Sequence, residues 1–306
     1  MARALDAITE AARALAAGEL VILPTETVYG LAADAANPVA VARLFEAKCR
    51  PRFNPLIAHV ASLPAAQGVA DLDARALILA KAFWPGPLTL VAPALDGVSD
   101  IARAGLDTVA VRVPAHPMAR ALLEAFGGPV AAPSANRSGR PSPTTLADAM
   151  AETGAAAAVA LDGGPCAIGL ESTVVALLGG PPRLLRPGAI TRAQIEALIG
   201  PLAEAEADAR RSPGRLTRHY APAAPLRLQA RAARAGEAFI GFGEVGPADL
   251  NLSPVGDLNQ AAARLFTYLR AADARKPVAI AVAPIPEEGL GEAINDRLRR
   301  AAGKVG

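Results

Sequence analysis

The chain reads as an α/β protein followed by a second, smaller α/β unit, and three observations carry that reading. Strand-like and helix-like segments alternate from the N-terminal region to about residue 200. The texture then changes. GPLAEAEADARRSPGRLTRHYAPAAP, residues 200–225, is rich in Ala and Glu, then basic, then punctuated by proline, with little apolar periodicity. That is the composition of a linker. Beyond it a shorter run of strands and helices resumes. The expected division is 1–200, a linker over 201–225, and 226–306, and a chain of 306 residues is comfortable for two domains.

Each element follows from a local signal. Leu5, Ile8, Ala12 and Leu15 recur at helical spacing near the start. VILP (21–24) is a short apolar strand that runs into PTETVYG. Asn37-Pro38 is an N-cap followed by proline at the first helical position, and Val41, Leu44 and Phe45 form the apolar face of that helix. The helix must end before Pro51, which puts Lys48 in its last turn. LIAHV (56–60) is a strand. Asp73 to Phe83 is a helix closed by Trp84-Pro85-Gly86-Pro87, and LTLVA (88–92), TVAVRV (108–113), VAAPSAN (130–136) and STVVALL (172–178) are strands. Thr191 with Gln194 forms a capping box for a helix to Ile199. In the second unit FIGF (239–242) and PVAIAVAPI (277–285) are strands, Asp257 caps a helix, and a last helix runs from Gly291 to Ala302.

Composition narrows the function. Hydrophobic residues make up 52% and charged residues 20%, as in soluble globular proteins, and the formal net charge of +2 gives no global basic field for nucleic acid. Cys49 and Cys166 are too few for a disulfide framework, and the three histidines have no zinc-ligand spacing. The N-terminus lacks the apolar stretch of a signal peptide, and no apolar run reaches bilayer length. A cytoplasmic protein with no membrane contact is expected.

Polar clusters fall at strand ends, where open α/β sheets place ligands. They are Thr25-Glu26-Thr27 with Tyr29; Lys48-Arg50-Arg52-Asn54 with His59; Ser134-Asn136-Arg137-Ser138-Gly139-Arg140; and Glu171-Ser172-Thr173 leading to Arg186. Arg112 joins them from mid-strand, sharing a face with Thr108. Several fixed cations beside many hydroxyls suit a polyphosphate and a carboxylate held side by side. Taken singly, Lys48 reads as a solvated charge at a helix end and His59 as a semi-buried imidazole. There is no GxxxxGK[ST] loop, GxGxxG, HExxH or GxSxG. The residues thus point to an α/β anion-binding protein with a nucleotide ligand, without specifying a reaction.

In order and spacing, PTETVYGLAADA, KCRPRFNPLIAHV, WPGPLTLV, VAVRVP, APSANRSGRPSPT and GLESTVV resemble the YrdC-like domain of threonylcarbamoyl-AMP synthases. SPGRLTRHYAP and the unit ending in AINDRLRRAA resemble the linker and C-terminal domain of the long form. The resemblance implies a twisted open mixed sheet with a smaller Rossmann-like α/β domain. The implied reaction condenses L-threonine, bicarbonate and ATP, with Mg²⁺ held through the ATP phosphates, into threonylcarbamoyl-AMP and pyrophosphate. A separate transferase complex then modifies tRNA, and a weak tRNA contact by this chain is compatible with that role. It implies threonine contacts from Thr27, His59, Arg112, Ser134 and Thr173. Lys48 and Arg50 would be catalytic and would share the ATP side with Asn54, Thr108, Asn136, Thr144, Arg186 and Tyr220. His219 and Tyr220 would close over the site as a lid. Four neighbours are exchangeable: Thr25 for Thr27, Ser172 for Thr173, Ser142 for Thr144, and His219 for Tyr220. Both Lys48 and Arg50 are expected near the surface. The alternatives are an RNA-binding module using a cationic concave face, or a carbamoyl-transfer relative acting on carbamoyl phosphate.

Overall fold

The computed structural model describes residues 2–204 and 219–303, so the centre of the expected linker, including Pro213 and Gly214, lies outside the described residues. The first unit contains α1 (Ala2–Ala16), β1 (Val21–Leu23), β2 (Gly30–Asp34), α2 (Pro38–Ala47), β3 (Ile57–His59), α3 (Leu63–Gln67) and α4 (Ala74–Phe83). It continues through β4 (Leu88–Pro93), β5 (Thr108–Arg112), α5 (Pro117–Phe126), β6 (Val130–Ala131), α6 (Leu146–Thr153), β7 (Val159–Ala160), β8 (Thr173–Ala176), β9 (Arg183–Arg186), α7 (Arg192–Ile199) and β10 (Ala203–Glu204). The second unit holds β11 (Leu226–Arg227), β12 (Glu237–Gly241), β13 (Leu250–Asn251), α8 (Leu258–Ala274), β14 (Ala279–Val282) and α9 (Leu290–Ala301).

Among the described residues, ten strands form one sheet in the order β10-β9-β8-β4-β5-β3-β6-β2-β1-β7. Its pairings are mixed: β3 with β5 and β4 with β8 are parallel, whereas β4 with β5, β2 with β6 and β8 with β9 are antiparallel. The second sheet, β11-β14-β12-β13, is parallel throughout. The mixed sheet and the smaller parallel sheet are those the resemblance implies.

The long apolar signals survive into the structure. Asn37 accepts from the amides of Val39 and Ala40 at the start of α2, and Ala40, Val41, Leu44 and Phe45 are buried. Thr191 and Gln194 cap α7 reciprocally. The residues 130–136 yield only the two-residue β6, after which Ser134 makes an isolated bridge to Gly30. Pro133 lacks the amide donor a continued ladder would need. The strand β2 is built from GLAAD, which lacks the β-branched and aromatic residues that mark strands; its burial between neighbours overrides propensity.

The expected linker is anchored on both flanks. Ala203 and Glu204 pair with Arg183 and Leu184 at the edge of the large sheet, and Leu226 opens the small one. The two units share a core. The apolar cluster around Leu265, Phe266 and Ile294 takes in Val28 and Leu170 from the first unit. Gly169 makes this contact close: its φ is +75°, and a Cβ there would stand 2.6 Å from the carbonyl oxygen of Ala262 on α8. Only glycine admits both that φ and that approach. Polar ties reinforce the seam, with Arg270 pairing to Glu152 at 2.9 Å and the Thr144 and Thr267 hydroxyls 2.9 Å apart.

Candidate active site

One cavity collects most of the sequence clusters. It is a cleft partly open to solvent, with about 50 Å³ of room for water-sized molecules. Its walls include Thr25, Thr27, Arg50, His59, Arg112, Ser134, Glu171, Ser172, Arg186, His219 and Tyr220.

At one end the turn after β1 aims two hydroxyls inward. Thr25 Oγ1 donates to the Val28 carbonyl at 2.6 Å and lies 2.8 Å from Thr27 Oγ1. Both threonines line the cavity. Arg112, at the end of β5, donates from Nη1 to Thr27 Oγ1 at 2.9 Å, from Nε to the Gly86 carbonyl at 3.1 Å, and from Nη2 to Glu26 at 2.5 Å. Burial would raise the Glu26 carboxyl, but Arg112 outweighs it and holds the group ionised. His59 pairs across the ladder with Arg112. Burial, and then the charge of Arg112, push its pKa down to about 3. The imidazole is therefore neutral at physiological pH, an uncharged wall group.

At the other end the charges are mostly cationic. Arg50 donates to the carbonyls of Asn54 and Pro55 at 3.4 and 3.2 Å; burial lowers its pKa to about 10, leaving it protonated near neutrality. Arg186 binds the Ser172 carbonyl and hydroxyl at 3.0 and 3.1 Å, and the same hydroxyl lies 2.7 Å from Thr89 Oγ1. Glu171 accepts from the Ser142 hydroxyl and from Arg297 Nε, the latter at 2.8 Å. Burial alone would raise its pKa; Arg297, then Arg186, reverse this and keep it an anion. His219 and Tyr220 close this end, edge to face with ring centroids 4.0 Å apart. Tyr220 also packs on Phe266 at 5.5 Å and holds a positive φ of 61°. Burial first, then surrounding cations, push the His219 pKa well below the ordinary value.

Several expected site residues sit elsewhere. Lys48 is not near the surface: it is 1% exposed, and its ammonium donates to the carbonyls of Ser134 and Asn136. It ties the C-terminal end of α2 to the loop after β6, behind the cavity wall. Arg50 is likewise half-buried rather than surface-exposed. Asn136 turns its amide to the carbonyls of Arg137 and Arg140 at 2.8 and 2.9 Å, and Asn54 is buried beside the wall. Thr108 starts β5 and so stands about 13 Å along the strand from Arg112. Thr144 faces Thr267 in the seam. Thr173 turns away from the cavity, because adjacent residues in a strand face opposite sides; its hydroxyl donates to the Ile190 carbonyl at 2.7 Å. Ser172 takes the cavity position instead. Arg52 lies in solvent, 3.9 Å from Glu46, with 66% of its side chain exposed.

Two contributors carried weak signals in sequence. Glu26 was one member of a polar cluster, and nothing local indicated that it would pair with Arg112, 86 positions away. Arg297 lies in the AINDRLRRAA segment, where a helical arginine reads as surface charge.

Comparison with known proteins agrees with this architecture. Residues 13–188 match the Sua5/YciO/YrdC family, described as "Telomere recombination", and residues 190–303 match the family described as "Threonylcarbamoyl-AMP synthase, C-terminal domain". The threonylcarbamoyl-AMP synthase of Pyrococcus abyssi is 41% identical over 94% of this chain and 91% of its own length. That of Bacillus subtilis is 40% identical over 97% and 93%. The crystal structure of P. abyssi Sua5 complexed with L-threonine superimposes with a TM-score of 0.91 at 39% identity, covering 97% of this chain and 94% of the other.

Proposed function

The chain belongs to the Sua5/YciO/YrdC family of threonylcarbamoyl-AMP synthases, and from that membership we propose how its cavity performs the reaction. The enzyme condenses L-threonine, bicarbonate and ATP into threonylcarbamoyl-AMP and pyrophosphate, for threonylcarbamoyladenosine modification of tRNA. In class it is a nucleotidyltransferase. The threonine nitrogen forms a C–N bond to bicarbonate carbon as water leaves, giving N-carboxy-threonine. A carboxylate oxygen of that carbamate then bonds to the α-phosphorus of ATP. The bond to the bridging oxygen breaks, and pyrophosphate leaves with the electron pair.

The observation that supports this reading is the joining, in one cavity, of a hydroxyl-lined end to an arginine-rich end. Thr25, Thr27 and Ser134 with Arg112 take threonine, and neutral His59 forms a wall that does not compete for its carboxylate. Arg50 and Arg186 take the phosphates and stabilise the departing pyrophosphate, the main requirement of phosphoryl-group displacement. Lys48 acts through the loop it holds, fixing Ser134 and Asn136. His219 and Tyr220 belong to a lid over 201–225 between a catalytic domain, 1–200, and a C-terminal domain, 226–306; a labile mixed anhydride needs water excluded. Mg²⁺ fits as a companion of the ATP phosphates, where it adds charge neutralisation. Among the described residues, no group of three or more His, Cys, Asp or Glu is placed to cage a metal.

No helix among the described residues is long and apolar enough to cross a membrane. The proposed setting is the cytoplasm, upstream of the transferase complex that acts on tRNA, with at most weak direct tRNA contact. Pure protein given ATP, bicarbonate and Mg²⁺ should release pyrophosphate only when L-threonine is added. Threonine-independent release, or none, overturns the proposal.

A further inference from the structure

Among the described residues that line the cavity, Glu171 is the one carboxylate, and it stands in the end we assign to a polyanion. An uncompensated carboxylate there would repel phosphate and draw Arg186 toward itself. The structure meets this from outside the cavity. Arg297, on α9 of the second unit, is fully buried and donates from Nε to Glu171 Oε2 at 2.8 Å. Ser142 donates to Oε1. Both oxygens are thus engaged by side chains that do not line the cavity. The Arg297 fork is itself held by Asp296, 2.7 Å from Nη1, and its guanidinium lies over the Tyr220 ring at 5.4 Å. The same residue therefore touches the cavity wall and the lid. The lid's main chain is held from the second unit as well: the amides of Ala223 and Ala224 donate to Asp273 on α8, each at 2.9 Å.

From this geometry we infer that Arg297 is a positioning residue for the nucleotide end: it sequesters the Glu171 carboxylate so that Arg186 and Arg50 face the phosphates. The C-terminal domain thereby takes part in setting ATP affinity. The inference rests on the reading of this end as the ATP site. It adds the source of that end's electrostatic balance, 126 positions away in sequence from Glu171.

The test compares wild type, Arg297→Met, Glu171→Gln and the double variant by pyrophosphate release, with KM for ATP and for threonine measured separately. Arg297→Met should raise the KM for ATP at least tenfold and the KM for threonine less than threefold. A purely structural lesion would lower the active fraction and hence kcat, and would leave both KM values in place. Glu171→Gln should make position 297 dispensable, so that the double variant and Glu171→Gln agree in KM for ATP within threefold. The double variant buries no unpaired charge, so that comparison holds even where Arg297→Met alone fails to fold. A tenfold gap between the double variant and Glu171→Gln, or a folded Arg297→Met with unchanged KM for ATP, overturns the inference. Loss of threonine-dependent release in wild type would instead overturn the reading of the site.

Discussion

The two ends of the cavity balance their charges differently. At the hydroxyl-lined end Arg112 is already matched by Glu26 and by Thr27, so the wall is nearly neutral before any ligand arrives. At the other end Arg50 and Arg186 meet Glu171, whose charge is taken by Arg297. Burial lowers the pKa of both Arg50 and Arg186, the cost of holding cations in a desolvated site. A compensated end suits threonine, whose ammonium and carboxylate nearly cancel. A cationic end suits a triphosphate, which brings the missing negative charge itself. The asymmetry supports the proposed placement of the two substrates.

The largest effect should come from the cationic end. Arg50→Ala and Arg186→Ala should each lower kcat/KM for ATP by roughly two to three orders of magnitude, whereas Arg112→Ala should act on the KM for threonine. Steady-state kinetics with each substrate varied would break the comparison if Arg112→Ala fell mainly on ATP. A sharper test uses adjacent residues. Ser172→Ala removes a hydroxyl that receives Arg186 and should reduce kcat/KM for ATP about tenfold. Thr173→Val removes the hydroxyl bridging to Ile190 and should cost about 1–2 kcal/mol in denaturant unfolding, leaving both KM values in place.

Acid should reveal both ends through their histidines. The His59 pKa falls from 6.5 to about 3 in the fold. Above 6.5 folded and unfolded chains are both neutral there; below it the unfolded chain takes up a proton that the folded chain excludes. Stability should then decline as pH falls from 6.5 toward 3, by up to about 1.4 kcal/mol per pH unit for each such histidine. His219, shifted in the same direction, adds to the slope. Chemical denaturation across pH should show a shallower decline between 6.5 and 4.5 for His59→Gln, and an unchanged slope would refute the neutral, buried imidazole. The smallest effect belongs to Arg52→Ala: an exposed cation 3.9 Å from Glu46 should change stability by less than about 0.5 kcal/mol and leave kinetics unaltered.

The sequence motifs identified the clusters but did not orient them. PTET, KCRPRFN, SAN and EST all lie in or beside the cavity, because polar residues at strand ends have few other places to go in an open sheet. Alternation requires that only one of Ser172 and Thr173 face the ligand, but it does not say which. That choice depends on β8 pairing in parallel with β4, where Thr173 sits opposite Leu88. The short strands β2, β7 and β10 escaped notice because two to five residues are too few to show a period.

By itself the sequence determined the α/β character, the longer strands and helices, the caps of α2 and α7 and the chemical character of each polar cluster. All of these follow from residues within a few positions of one another, where periodicity, proline and hydroxyl caps act directly. Only the tertiary structure decided that Lys48 is buried against the Ser134 and Asn136 carbonyls, that Glu26 balances Arg112, and that Arg297 reaches Glu171 from α9. Those pairings span 86 to 126 positions. They form because a buried charge must find a partner, and which partner lies within reach is set by how the sheets and helices pack.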